Sequence, residues 1–144
     1  MDRTHHVTGD HLQGVLDALD AQGFSFPVGA WQRPVDGQMK FDNPPFALVR
    51  MYPSTAEYDG PLTDSQIDIT LRVQILGVGK SQRQAIDVTD LCKKGMKRSK
   101  VTILNRRVMD IAFMVTSAGV SRDDDLPTPF FYHSDLYSLR TTPN

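Results

Sequence analysis

The feature that most constrains the fold is a stretch, residues 67–75, in which apolar and polar side chains alternate strictly. Every second position is apolar: Ile67, Ile69, Leu71, Val73 and Ile75. This period of two predicts a β-strand with one buried face and one face in water. Gly77 and Gly79 follow it and are expected to end the strand.

A helix is predicted directly after this strand. Ser81 and Gln84 have the spacing of a capping box, in which the serine hydroxyl and the glutamine side chain satisfy backbone N–H groups of the first turn. The helix should run from about 82 to 98, with one apolar face formed by Ala85, Val88, Cys92 and Met96. Gly95 is expected to weaken its last turns.

The rest of the chain is predicted to be mostly strands and loops. Leu12, Val15, Leu16 and Leu19 form a helical stripe within residues 10–22. The remaining segments are short strands within 24–45, a strand at 46–52, a polar loop at 53–66, strands at 101–104 and 107–117, a loop at 118–129 and a strand at 130–139. This order favours an α+β fold, a mainly antiparallel sheet with two helices packed on one face. We expect one domain, 1–144, whose residues 1–8 form a flexible tail.

The charge is unevenly distributed along the chain. The net charge is −1, yet residues 79–107 hold nine Lys and Arg against two Asp, which leaves −8 elsewhere. The overall balance argues against a strongly basic nucleic-acid binder. Two explanations of the asymmetry stay open: a basic face that meets an acidic face of another copy, or lysines that complement the dipole at a helix C-terminus.

Composition and hydropathy further limit the class of protein to which the chain can belong. The single cysteine, Cys92, excludes an internal disulfide framework. The chain contains no apolar run approaching 18 residues and does not begin with the apolar region of a signal peptide. We therefore expect a soluble intracellular protein.

Four patterns carry the residue types of catalysis or ligand binding, and each favours a structural interpretation. The ligand-type residues His5, His6, Asp10 and His11 lie at the chain end. Cys92 lies on an apolar helix face, with only His133 outside the N-terminus to act as its base. The segment 77–81 lacks the first glycine of a phosphate-binding loop. The run Asp123–Asp125 lacks the spacing of a calcium loop. We expect no catalytic residue, no metal and no cofactor.

The stretch from 52 to 98 resembles the tail terminator family of long-tailed bacteriophages, also called tail completion or tail-to-head joining proteins. The versions from phages of actinobacteria are the most similar. The motifs, in chain order, are Tyr52-Pro53, Asp59-Gly60-Pro61-Leu62, Asp64, Gln74, Gly77-Val78-Gly79 and Ser81-x-x-x-Ala85. The first helix and the 119–125 loop before an aromatic final strand extend the match over most of the chain.

This resemblance implies a structural virion protein. The family forms a hexameric ring that caps the tail tube, ends its polymerisation and joins the tail to the head connector. The implied partners are further copies of the chain, the tail tube protein and the head completion protein, with no membrane. DNA would pass through the ring without sequence-specific binding. The implied location is the head-proximal end of the phage tail, reached from the host cytoplasm during assembly.

The polar loops and the segregated charge suggest where copies would meet. The candidate assembly interface comprises Tyr58, Asp59, Asp64, Lys93, Lys94, Lys97, Arg98, Asp123, Asp124 and Asp125. For the basic stretch 93–100 we favour a subunit interface or solvent over DNA, because a channel through which DNA slides should not grip phosphates. Two alternatives remain: another ring-forming tail part (a tube or head-completion protein), or a small metal-dependent enzyme that uses the N-terminal histidines.

Overall fold

The computed structural model describes residues 4–31, 44–53, 69–98, 100–104, 106–116, 121–123 and 130–143. In chain order the elements are α1 (Thr4–Asp20), β1 (Val28–Ala30), β2 (Phe46–Pro53), β3 (Ile69–Gly79), α2 (Gln82–Arg98), β4 (Arg106–Thr116), β5 (Ser121–Asp123) and β6 (Phe130–Pro143). The strand order is β1-β2-β3-β6-β4, and β5 pairs with the start of β6. Among the described strands, β1 and β2 pair in parallel and the other pairs are antiparallel. The predicted α+β fold is confirmed.

Both helices cover the same face of the sheet. Their apolar stripes meet the alternating side chains of the central strands in one cluster, which includes Val15, Leu19, Val88, Cys92, Val49, Val73, Ile75 and Leu139. Full burial of an aliphatic side chain of this size contributes about 1.5–3 kcal/mol. This cluster is the main core, and it fixes α2 relative to the strands that follow it.

The opposite face of β3 is less exposed than the alternation predicted. Phe46, Leu48 and Val78 are fully buried on that side and form a second cluster with Phe130. The rings of Phe46 and Phe130 meet edge to face at 6.2 Å. Because β3 lies at the centre of the sheet, side chains from β2 and β6 flank it on both faces. This cluster lies beyond the alternating stretch 67–75. Within that stretch Arg72 and Gln74 are half-buried and Thr70 is buried, so the prediction of a face in water is wrong at Thr70.

Helix α2 packs directly on the backbone of β3 through two glycines. A Cβ atom at Gly77 would lie 2.5 Å from the Ala85 carbonyl oxygen, and one at Gly79 would lie 2.6 Å from the Ala85 nitrogen. Gly77 pairs with β6 inside β3, and Gly79 is the last residue of the strand. The expectation that the glycines end β3 is therefore confirmed at Gly79 and wrong at Gly77, and both residues allow the close approach of the helix.

Several element boundaries differ from those expected. Helix α1 begins at Thr4, so residues 4–8 of the predicted flexible tail belong to its backbone. Residues 101–104 form no strand but one isolated bridge between Ile103 and Arg106. Strand β5 lies inside the predicted 118–129 loop, and β6 continues four residues beyond the predicted end. Helix α2 spans the predicted residues 82–98, so that prediction is confirmed.

Candidate functional site

A groove lies between the C-terminal half of α2, the 100–104 connection and β4. Its volume is about 690 Å³. Its floor is apolar and consists of Met96, Val101, Ile103, Val108 and Ile111. Four cationic residues also line it, and we call them with this floor the basic groove: Lys97, Lys100, Arg106 and Arg107. Within the described part of the chain no acidic residue lines it.

The two adjacent arginines of the groove have different environments. Arg106 is buried, its Nε donates to Thr141 Oγ1 at 2.9 Å, and its Nη2 donates to the Thr141 carbonyl oxygen at 3.3 Å. Arg107 is exposed, as are Lys97 and Lys100. The groove therefore has one fixed cation inside and three cations at its solvent-facing rim.

Thr141 also connects α1 to the groove through a hydrogen bond with His11. The His11 Nε2 atom lies 2.7 Å from Thr141 Oγ1, and the imidazole is fully buried. The His11 ring and the Arg106 guanidinium thus share the same threonine oxygen as a hydrogen-bond partner. His11 therefore belongs to an internal network that joins α1, β6 and β4. Across the described residues no three His, Cys, Asp or Glu side chains are grouped to hold a metal ion.

A smaller cavity of about 90 Å³ adjoins the basic groove between α2 and β4. Lys93 lies on one side, with its Nζ 3.9 Å from the centre of the Phe113 ring, an attractive cation–π geometry. The Phe113 ring in turn meets Tyr137 edge to face at 5.7 Å. Lys93 is thus engaged within its own chain, whereas Lys97 borders both cavities.

Tyr137 lines the smaller cavity and is almost fully buried, yet its hydroxyl has no hydrogen-bond partner among the described residues. Burial, with the charge of Asp135 as a second cause, raises the pKa of Tyr137 well above its usual range. The phenol is therefore a neutral donor. A buried hydroxyl without a partner costs about 1–3 kcal/mol.

Strand β4 forms a long edge of the sheet beside the groove. In the described part of the chain it pairs with β6 alone. Four large apolar residues on it are 39–54% exposed: Met109, Phe113, Met114 and Val115. Long apolar edge strands present unpaired backbone groups and invite pairing with another chain.

The cysteine and histidine weighed as a catalytic pair have structural environments. Cys92 is fully buried, and burial, together with the Asp135 charge, raises the pKa of its thiol to about 12. A thiol with such a pKa is not a nucleophilic thiolate at neutral pH. His133 Nδ1 lies 2.8 Å from Thr89 Oγ1, which itself donates to the Ile86 carbonyl oxygen. His133 therefore donates to Thr89 and bridges β6 to α2.

The segment that resembles a phosphate loop caps its own helix. The Gln84 N–H donates to Ser81 Oγ at 3.2 Å, and the Lys80 N–H donates to Gln84 Oε1 at 2.7 Å. The glutamine reaches the residue before the cap instead of the cap itself. These bonds use polar groups at the helix N-terminus that a phosphate would contact.

The structure brings some of the predicted interface residues together and leaves others undescribed. Lys97 lines both cavities and Lys93 lines the smaller one, whereas Lys94 is exposed and lines neither. Only the backbone is described for Arg98 and for Asp123, which ends β5. The remaining predicted residues, Tyr58, Asp59, Asp64, Asp124 and Asp125, lie outside the described residues.

Sequence reasoning missed three residues that line these cavities. Arg106 and Arg107 were counted in the basic segment 79–107 but were not assigned to the interface, and Tyr137 was not singled out. The available signal was the excess of cations on both sides of the 100–104 connection. The missing information was tertiary, because β4 folds back beside α2.

No protein-family model matches this sequence, and no curated protein is significantly similar to it. None of the helices in the described ranges is both long enough and apolar enough to cross a membrane.

Proposed function

We propose that this chain is a structural subunit that associates with copies of itself into a ring, as a tail terminator of a long-tailed bacteriophage. The ring caps the tail tube, ends its polymerisation and joins the tail to the head connector at the head-proximal end. Its partners are the tube protein and the head completion protein. Subunits assemble in the host cytoplasm, and DNA passes through the ring without being read. The role is not catalytic.

The observation that carries this proposal is the β4 edge. Eleven residues of β4 border the sheet, with large apolar side chains exposed along it. Proteins that remain single usually shorten, charge or cover such an edge. A subunit that associates with copies of itself can bury such an edge in the contact between subunits.

The two edges of the sheet differ in a way that supports the same conclusion. The β1 edge is only three residues long, and α1 packs beside it. The β4 edge is long and lies next to the basic groove. An association that uses β4 therefore has apolar contact area and charge on the same side of the molecule.

The resemblance to the tail terminator family indicates which kind of assembly the subunits form. The motif Gly77-Val78-Gly79 followed by Ser81 and Ala85, on which it partly rests, coincides with the contact between β3 and α2. The fold that the resemblance implies, an α+β sheet with helices on one side, agrees with the observed one. This agreement supports the proposal at the level of architecture.

Native mass spectrometry at increasing protein concentration tests the proposal. We expect monomers to convert into one closed species of six copies, and electron microscopy to show single rings. Long tubes would instead identify a tube protein. A chain that remains monomeric up to its solubility limit, and is absent from the tail–head junction of the particle, would refute the proposal.

A pair of matched variants tests the use of β4. Met109→Lys with Val115→Lys should suppress ring formation, because two ammonium groups on the edge oppose burial. Ile86→Lys with Leu91→Lys makes the same chemical change on exposed positions of α2 and should leave assembly intact. Equal behaviour of the two variants would exclude β4 as the contact.

A further inference from the structure

We propose that the basic groove binds the acidic run Asp123–Asp125 of a second copy of this chain, so that copies associate head to tail. This inference rests on the proposed self-association and identifies the two surfaces that meet. The groove and the run carry opposite charge, and the fold places the backbone of Asp123, where the run begins, far from the groove of the same subunit.

The groove has the chemistry of a receptor for an acidic segment. Lys97, Lys100 and Arg107 are exposed around a floor of aliphatic and thioether side chains. Arginine and lysine form charge-assisted hydrogen bonds to carboxylates, and an arginine can hold both oxygens of one carboxylate. A bound segment with carboxylates next to an apolar side chain would pair its charges with the cationic rim and place the apolar side chain on the apolar floor.

The sequence holds one run of three consecutive acidic residues. It is Asp123–Asp125, and Leu126 and Pro127 follow it. The carboxylates match the cationic rim, and the leucine side chain matches the apolar floor. Elsewhere the acidic residues are isolated or separated by at least one residue. This run is therefore the best chemical complement that the chain offers to its own groove.

The run cannot reach the groove of its own subunit. Strand β5 pairs Asp123 with Phe130 at the start of β6, whereas the groove residue Ile111 pairs with Leu139. Nine residues of β6 separate these positions, a distance of about 30 Å at about 3.3 Å per residue. The three residues that follow Asp123 extend at most about 11 Å. The contact must form between subunits.

Contact between two different surfaces has a geometric consequence. Each copy offers a groove to one neighbour and an acidic run to another, so the association is head to tail and not a two-fold dimer. Such contacts produce a closed ring when the rotation closes, and an open filament when it does not. This arrangement is the one that a ring of six copies requires.

Tyr137 adds an independent indication of an occupant. Its hydroxyl lacks a hydrogen-bond partner among the described residues and borders the smaller cavity that adjoins the groove. A carboxylate or a backbone carbonyl of an entering segment can accept this proton.

A peptide of residues 121–129 tests the contact without requiring a ring. Titrated with the full-length chain, it should bind, weaken as salt increases, and lose at least tenfold in affinity to the Lys97→Glu/Arg107→Glu variant. The control variant Lys80→Glu/Arg83→Glu has the same change in charge on exposed residues outside the groove and should bind as the wild type does. No binding, or equal loss in both variants, would overturn the inference.

Charge exchange then tests the contact in the assembly. Native mass spectrometry should show that Lys97→Glu/Arg107→Glu and Asp124→Lys/Asp125→Lys each prevent ring formation, and that one chain with all four substitutions recovers it. If the wild type forms rings and neither reversal reduces them, the inference fails while the proposed function stands. If the wild type forms no ring at all, both fail.

Discussion

The two halves of α2 have opposite relations to the sheet. The N-terminal half lies against the backbone of β3 at Gly77 and Gly79, and its cap is satisfied within the chain. The C-terminal half contacts β4 through Lys93 and Phe113 and borders the basic groove, with exposed cations and a tyrosine hydroxyl that has no hydrogen-bond partner among the described residues. The first contact stabilises the subunit, whereas the second leaves a surface available to another chain.

The largest effect is expected at the closed contact. Gly77→Ala should lower the free energy of unfolding by about 2–3 kcal/mol, because the new Cβ would meet the Ala85 carbonyl oxygen at 2.5 Å and force α2 outward. Gly9→Ala is the matched control, since nothing lies within 4 Å of a Cβ there. That helical substitution should instead stabilise by about 0.5–1 kcal/mol. Urea unfolding of both variants measures the difference, and equal stabilities would contradict the close contact.

The free energy of unfolding is expected to depend on pH because of Cys92, which lies in the middle of α2. The pKa of the Cys92 thiol rises from 9.0 to about 12 in the folded chain, chiefly through burial. Between these values the folded chain retains a proton that the unfolded chain has lost. Stability is therefore lost as pH rises above about 9, by up to about 1.4 kcal/mol per pH unit.

Urea unfolding between pH 8 and about 10 measures this slope, with Cys92→Ala as the comparison. The substitution removes the thiol, so the slope should become shallower, although Tyr137 adds a decline of the same sign at higher pH. An unchanged slope in Cys92→Ala would show that the thiol does not titrate as expected.

A smaller effect of the opposite sign is expected beside the groove. Tyr137→Phe removes a buried hydroxyl that has no partner among the described residues, so the isolated subunit should gain up to about 1 kcal/mol. If the hydroxyl bonds to a second copy, the same variant should assemble less well. A loss of stability in the isolated subunit would indicate a partner for this hydroxyl within the chain.

The smallest effect on stability is expected at the rim of the groove. Lys97→Ala should change the free energy of unfolding by less than about 0.5 kcal/mol, because the side chain is exposed. Ring formation should nevertheless decline, since the variant removes a cation from the proposed contact. Denaturation measures the stability of the variant and native mass spectrometry measures its ring formation, both on one preparation. A large loss of stability would show that Lys97 stabilises the fold of the subunit.

The sequence predicted those elements whose signals are local. The capping box and the apolar face placed α2 at residues 82–98, and alternation located most of β3. Helix α1 was predicted too short because residues 4–9 carry no apolar stripe. Strand β5 (Ser-Arg-Asp) has no strand pattern and forms through its pairing with β6. Local periodicity does not report such tertiary pairing.

The candidate site was predictable only in part. The clustered charge of α2 indicated Lys93 and Lys97, but residues of β4 and β6 line the cavities with them. Which side chains face each other across the 100–104 connection depends on how β4 pairs with β6, including its two register shifts. The close contact of Gly77 and Gly79 with α2 was not predicted for the same reason, because it involves a second element.

Mixing two reversed variants tests head-to-tail association most directly. Lys97→Glu/Arg107→Glu changes the exposed rim of the groove from three cations to two glutamates and Lys100, a net charge of −1, and keeps the natural acidic run. Asp124→Lys/Asp125→Lys keeps the natural groove and has a net basic run. Each should be monomeric alone in native mass spectrometry. Their mixture should form rings with three copies of each, because the exposed rim of every groove then meets a run of opposite net charge. A mixture that remains monomeric while the wild type forms rings, or variants that assemble alone as the wild type does, would contradict the account.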